Sequence, residues 1–221
     1  MLVENDKENL ENKNHEAENQ IETDVNSIDL DSFLKVDDFN NRIIYINSEI
    51  NDDVLIHVTD SILRYNRYDS IEHVKVENRT PIIIYINSIG GDKFAGLGII
   101  DAIIQSETPV YTVNIGSCFS MAALIFVAGE KRFTFKHSTF LLHDGEISVN
   151  TTAKKARNVA KFLCDDMSDF DMDFLIDRTN IDKKTFNKKY DSEWYFFGDE
   201  AKSIGVATNI VGVDCKMADI V

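Results

Sequence analysis

Residues 81–86 read Pro-Ile-Ile-Ile-Tyr-Ile, and the turn Asn-Ser-Ile-Gly-Gly and an apolar stretch at 92–105 follow them. An apolar run without polar alternation needs cover on both faces, the condition of a strand inside a parallel sheet flanked by helices. The same order returns at once. Residues 109–115 (Pro-Val-Tyr-Thr-Val-Asn-Ile) are followed by a turn and by an apolar helix at 120–128 that Gly129 stops. Two successive strand–turn–helix units predict an α/β domain with a largely parallel central sheet. The rest of the chain fits around them. Residues 42–46 form a further strand, and Val54, Leu55, Val58, Ile62 and Tyr65 recur at helical spacing over 52–68. Short strands are expected at 132–135 and 139–142. Asn150 or Thr151 can cap a long helix running to about residue 178. Helices at 183–189 and 199–204 then lead to a last strand at 206–211. With 221 residues, two prolines and no Ser/Gly linker, one folded domain over 28–221 is expected.

Charge separates the first residues from that domain. Positions 1–24 hold eight acids against two bases, a net of −6, with almost no large apolar residue. Such a segment cannot offset its ordering entropy by burial, so 1–27 reads as an unstructured acidic tail. The whole chain carries −15, which excludes a basic nucleic-acid-binding face and attraction to anionic lipid. Three scattered cysteines with no CxxC pair argue against a disulfide framework or structural zinc and fit a cytoplasmic protein. No apolar leader suggests secretion, and the longest apolar stretch, 122–128, is far short of the ~20 residues a membrane span needs.

In open α/β sheets ligands bind beyond the carboxyl ends of the strands, so the chemistry is sought in the turns. Gly90-Gly91 after the buried strand matches neither phosphate-loop pattern and fits a backbone oxyanion donor or a plain tight turn. The second turn, Gly-Ser-Cys-Phe-Ser-Met-Ala-Ala at 116–123, puts Ser120 at the start of an apolar helix, where backbone N–H groups favour negative charge. A serine there is ordinarily an N-cap. His143, which ends the strand 139–142 just before Asp144-Gly145, makes a nucleophile and general-base pair conceivable. Cys118, inside the turn, is a weaker nucleophile candidate. His57, His73 and His137 have no partner by pattern, and no metal or cofactor is expected.

Tyr-Ile-Asn-Ser-x-Gly-Gly, then Ser-Met-Ala-Ala, then Leu-His, then Glu-Ala-x-x-x-Gly, in that order and spacing, resembles the Clp protease proteolytic subunit (ClpP) family, most of all its divergent phage and prophage members. The resemblance runs from about Arg42 to about Val211. It implies a ClpP/crotonase-type fold with a protruding handle helix, and a serine endopeptidase. Carried over by position, it makes Ser120 the nucleophile and His143 the general base. Gly91 and Met121 become the oxyanion-hole donors. Aligning Glu200-Ala201 and Gly205 without gaps puts Glu193 at the third triad position, with Asp191 two residues earlier as the other choice. The resemblance further implies peptide or unfolded-protein substrates, stacked heptameric rings and a Clp-type ATPase partner.

Three departures stand out. Ile89 replaces the proline before the glycine pair, the N-terminal segment does not match the family's axial loops, and residues 146–152 lack the usual glycines. Along 151–178, Ala156, Val159, Ala160, Leu163, Met167, Phe170 and Phe174 form an apolar stripe that can pack internally or on another subunit. A crotonase-fold acyl-CoA enzyme and a non-catalytic ring subunit are the competing readings.

Overall fold

A computed structural model of the chain describes residues 30–145 and 151–220. The acidic stretch 1–27 and the segment 146–150, with Asn150 as a helix cap, lie outside the described residues. The chain divides into two units, Met1–Asn41 and Arg42–Val221. The described part of the first is a helix, α1 (Leu30–Asn40), which the sequence reading does not anticipate.

The second unit is an α/β sheet domain. In chain order it runs β1 (Ile43–Ile46), α2 (Asp52–Ile71), β2 (Ile82–Ser88), α3 (Lys93–Ile104), β3 (Val110–Phe119), α4 (Met121–Ala128), β4 (Lys131–Phe135) and β5 (Thr139–Leu142). Then come α5 (Ala153–Lys161), a π-helical stretch (Phe162–Asp166), α6 (Met167–Arg178), α7 (Lys183–Lys189), β6 (Trp194–Phe197), α8 (Gly198–Ser203) and β7 (Asn209–Val211). The sheet order is β1-β2-β3-β4-β7, all parallel, and β5 and β6 branch from β3.

The apolar run of β2 is covered on both faces, as its composition requires. Ile82, Ile84 and Ile86 join the main core with α2, α3 and α4, whereas Ile83 packs on the other face with Val113, Phe133 and Ile220. All eight residues of α4 are buried, which explains a helix apolar on every side. Its carboxyl end is closed by two arginines. Arg178 donates to the carbonyls of Val127, Ala128 and Gly129, and Arg132 donates to those of Gly129, Gly205 and Val206. These guanidiniums satisfy carbonyls that a helix end leaves unpaired. Burial, with Arg178 nearby, pulls the Arg132 pKa down to about 10.

Strand β3 forks. Its first half pairs with β4 (Tyr111 to Asn114), its second with β5 (Ser117 to Phe119). Asn114, fully buried, holds the fork open. Its Nδ2 donates to the Thr139 carbonyl at 3.0 Å, its Oδ1 accepts from Gly116 N–H at 3.0 Å, and its own carbonyl accepts from the Ser138 hydroxyl at 3.0 Å. The strand therefore continues four residues past the predicted end at 115.

The rest of the chain adds one strand that the sequence reading does not anticipate, shortens another and modifies one helix. The four aromatic residues of β6 form a strand antiparallel to β5. The last strand is only Asn209–Val211. The long helix expected over 151–178 runs over 153–178, and the π stretch within it inserts an i→i+5 turn that rotates the residues after it. Of its apolar stripe Met167 and Phe174 are buried, whereas Val159 and Phe170 are exposed. No helix among the described residues is long and apolar enough to cross a membrane.

Candidate active site

A single residue, Ser120, joins β3 to α4. Its backbone takes φ 52° and ψ −126°, a left-handed conformation that costs a non-glycine residue of order 1–3 kcal/mol. The strain is held by neighbours. Ser120 N–H donates to the Leu141 carbonyl on β5 at 2.9 Å, and the Ser120 carbonyl accepts from Ala123 N–H at 2.9 Å. Ser120 occupies the N-cap position of α4, yet its side chain makes no capping hydrogen bond. The hydroxyl is thus not committed to the role a serine ordinarily fills there. A sharp strand-to-helix turn that presents a serine hydroxyl is the geometry of a nucleophile elbow.

The glycine pair packs directly against this turn. Gly90 has φ +95°, and a methyl group built on it would lie 2.7 Å from the Phe119 carbonyl and 2.8 Å from Ser120 Cβ. No side chain fits between the two turns. Gly91 has φ +144°. Its neighbours are tied to Ile50: Ile50 N–H donates to the Gly90 carbonyl and Asp92 N–H to the Ile50 carbonyl, both at 2.8 Å. In parallel pairing the residue between two such bonds turns its own N–H to the opposite side, here away from Ile50. Ser88 Oγ accepts from Gly90 N–H at 3.1 Å and donates to the Ser48 carbonyl at 2.6 Å, which steadies the turn. The Met121 N–H lies in the first turn of α4, where amides have no intrahelical acceptor. Gly91, Ser120, Met121 and His143 line one cleft of about 310 Å³.

The position of His143 is set by strand register. Phe119 pairs with Leu141, so β5 runs beside the Ser120 turn, and His143 is the first residue beyond β5. Across the antiparallel β5–β6 pair, Leu142 faces Trp194, so the next pair outward is His143 and Glu193. Directly opposed residues bring their side chains together. His143 Nδ1 lies 3.4 Å from Glu193 Oε1, with the His143 side chain 20% and the Glu193 side chain 58% exposed. Asp191, the other candidate, makes no such contact with His143 among the described residues and lines an adjoining pocket instead. The Glu193 carboxylate beside the Tyr195 hydroxyl raises the Tyr195 pKa, and the Tyr195 ring packs edge-on against Phe119 at 5.7 Å.

The Glu-Ala pair at 200–201 supports this arrangement from behind. Glu200 Oε1 accepts from Trp194 Nε1 at 3.0 Å, and Ala201 is fully buried. Cys118 is fully buried, and burial holds its thiol well above the ordinary pKa, the opposite of what a nucleophile needs. His57 and His137 are exposed. Among the described residues no group of three His, Cys, Asp or Glu is placed to hold a metal ion.

The sequence model of the Clp protease family matches residues 31–214. The chain belongs to the Clp protease family. It is 30% identical over 178 residues to the ATP-dependent Clp protease proteolytic subunit 2 of Bacillus licheniformis, covering 75% of this chain and 83% of that protein. It is 33% identical over 136 residues to the ATP-dependent Clp protease proteolytic subunit of Carsonella ruddii, covering 58% and 66%. With the proteolytic subunit 1 of Bacillus cereus the identity is 29% over 172 residues, covering 77% and 84%. The mainly parallel sheet flanked by helices is consistent with the ClpP/crotonase-type fold of this family, and the class of activity is that of a peptidase.

Three residues of the same cleft escape sequence reasoning: Lys93, Asp171 and Tyr190. One signal was available. Asp171 is an acid on an apolar helix face, between Met167 and Phe174, where a charge needs a buried partner.

Proposed function

We propose that the chain is a serine endopeptidase that cleaves peptides and unfolded polypeptides through Ser120, His143 and Glu193. The observation that carries this is the strained, uncapped Ser120 at a one-residue strand-to-helix turn, sharing a cleft with His143. Ser120 Oγ attacks the scissile carbonyl as His143 takes its proton through Nε2. Glu193 accepts from Nδ1–H, fixes the tautomer and stabilises the imidazolium. The N–H groups of Gly91 and Met121 hold the oxyanion, a contribution typically worth about 3–4 kcal/mol per donor. His143 protonates the leaving amine, and water then hydrolyses the acyl-enzyme through the same histidine.

The active form is an oligomeric chamber of stacked heptameric rings. Its support is the arm formed by α5, the π stretch and α6, where Val159, Phe162 and Phe170 remain exposed in the single chain. Large apolar side chains left exposed along one helical arm are a mark of an interface. The relatives are named as subunits of an ATP-dependent protease, which supports a Clp-type ATPase partner and a cytoplasmic site of action. Residues 28–221 form the peptidase unit and 1–27 an appendage.

Size-exclusion fractions of wild type and Ser120→Ala, assayed on fluorogenic peptides and an unfolded protein, test this reading. Activity is expected in the oligomer fraction of wild type and absent from Ser120→Ala. A folded oligomer that is inactive on every substrate would favour a non-catalytic ring subunit. Tight acyl-CoA binding without peptide hydrolysis would favour the acyl-CoA enzyme.

A further inference from the structure

Beyond Ser120 the cleft runs past the first turn of α4 to a polar end that the proposed hydrolysis does not use. Lys93 Nζ donates to Asp171 Oδ2 at 2.5 Å, and the Tyr190 hydroxyl donates to the same oxygen at 2.7 Å. The Lys93 ammonium also reaches the Met167 carbonyl at 3.4 Å. Asp171 is 2% exposed, and its second oxygen, Oδ1, is buried with no hydrogen-bond partner among the described residues. Native structures pair almost all such atoms, so an orphaned carboxylate oxygen in a cleft wall calls for an explanation.

A purely structural bridge between α3 and α6 would be expected to use both carboxylate oxygens. This one leaves an acceptor on Asp171 and a donor on Lys93, since an ammonium carries three N–H groups. Met121, Leu124 and Leu163 give the same cleft an apolar lining, and Asp92 and Asp144 line it as well. The cleft therefore matches a side chain with an apolar stem and an end that both donates and accepts.

We propose, on the peptidase reading above, that this pocket takes the side chain of the residue whose carbonyl Ser120 attacks, and that it selects the carboxamide of glutamine over aliphatic side chains. The carboxamide N–H donates to the Asp171 carboxylate, and its oxygen accepts from Lys93. A hydrogen-bonding pocket rejects an apolar isostere strongly, because its own polar groups are then left unpaired.

The test is kcat/KM for fluorogenic peptides that differ only at the residue before the scissile bond: Gln, Leu, Met or Lys. Gln is expected to exceed Leu by about tenfold or more. In Lys93→Met/Asp171→Leu, which removes both partners so that no charge is stranded, the order should invert. The wild-type series decides the matter even if the double variant fails to fold. Fluorophosphonate labelling of Ser120 is measured alongside. Labelled protein that prefers Leu, Met or Lys over Gln overturns the pocket assignment alone. Unlabelled protein that cleaves none of the peptides overturns the peptidase reading and the assignment with it.

Discussion

The turn at Ser120 and the arm formed by α5, the π stretch and α6 are built on opposite terms. At the turn the chain supplies everything: α4 is buried along its whole length, its carboxyl end is closed by Arg132 and Arg178, and Gly90 fits against Ser120 with no room for a methyl group. Along the arm the chain leaves Val159, Phe162 and Phe170 exposed. A backbone strain of a few kcal/mol survives at Ser120 because close packing over-determines it. No comparable constraint acts on the outer part of the arm. The Ser120 turn is complete within the single chain, and on the proposed reading the exposed side chains of the arm meet a partner.

Substitutions can break this contrast or sharpen it. Ser120→Ala removes the nucleophile from a site whose packing does not depend on the hydroxyl. Peptide hydrolysis should fall by about 10⁴-fold or more, with thermal unfolding close to wild type. Gly90→Ala attacks the packing itself. Its methyl would fall 2.8 Å from Ser120 Cβ, so the turn must shift, and a displacement approaching 1 Å should cost about 10²-fold in kcat.

Asp69→Asn disturbs the fold away from both regions. Asp69 is buried, accepts from Arg42 at 2.5 and 2.7 Å and from the Thr108 hydroxyl at 2.7 Å, and the Arg42 bond holds its pKa below the usual carboxylate value. The variant should lose about 3 kcal/mol at neutral pH, measured by denaturant unfolding. Because the folded pKa is lowered, that advantage of wild type is present above about pH 4 and is lost as pH falls through the folded value.

Glu193→Ala should lower kcat by roughly 10-fold to 10²-fold, less than a fully buried triad acid, because Glu193 is more than half exposed and 3.4 Å from the imidazole. Asp191→Ala should stay within about twofold; the reverse result would reassign the third member. The smallest effect on the single chain is expected from Val159→Asp/Phe170→Asp. Both side chains are already exposed, so unfolding measured on the dissociated chain should move by less than about 0.5 kcal/mol. Size-exclusion chromatography should show a weakened assembly.

Legibility in the sequence divides along the same line. The Ser120 turn is legible because its pattern is local: a buried strand, one serine, then an apolar helix, with paired glycines on the neighbouring strand. Glu193 is reached only through its spacing from Glu200-Ala201, since β6 is a strand by virtue of pairing with β5, and its four aromatic residues carry no period-2 polarity. The fork in β3 depends on Asn114, a buried polar residue whose bonds join segments about 25 residues apart. The Lys93–Asp171 pair joins positions 78 apart and leaves no local trace beyond one acid in an apolar stripe. The π stretch is invisible because the apolar spacing continues through it at intervals of three and four.

The central claim is that the chain itself builds a nucleophile at Ser120, activated by His143. Peptide mapping by mass spectrometry after reaction with a fluorophosphonate tests it most directly. The account predicts one adduct, on Ser120, and labelling slowed by about 10²-fold or more in His143→Ala. A folded protein that carries no adduct, or carries it on another residue, would contradict it.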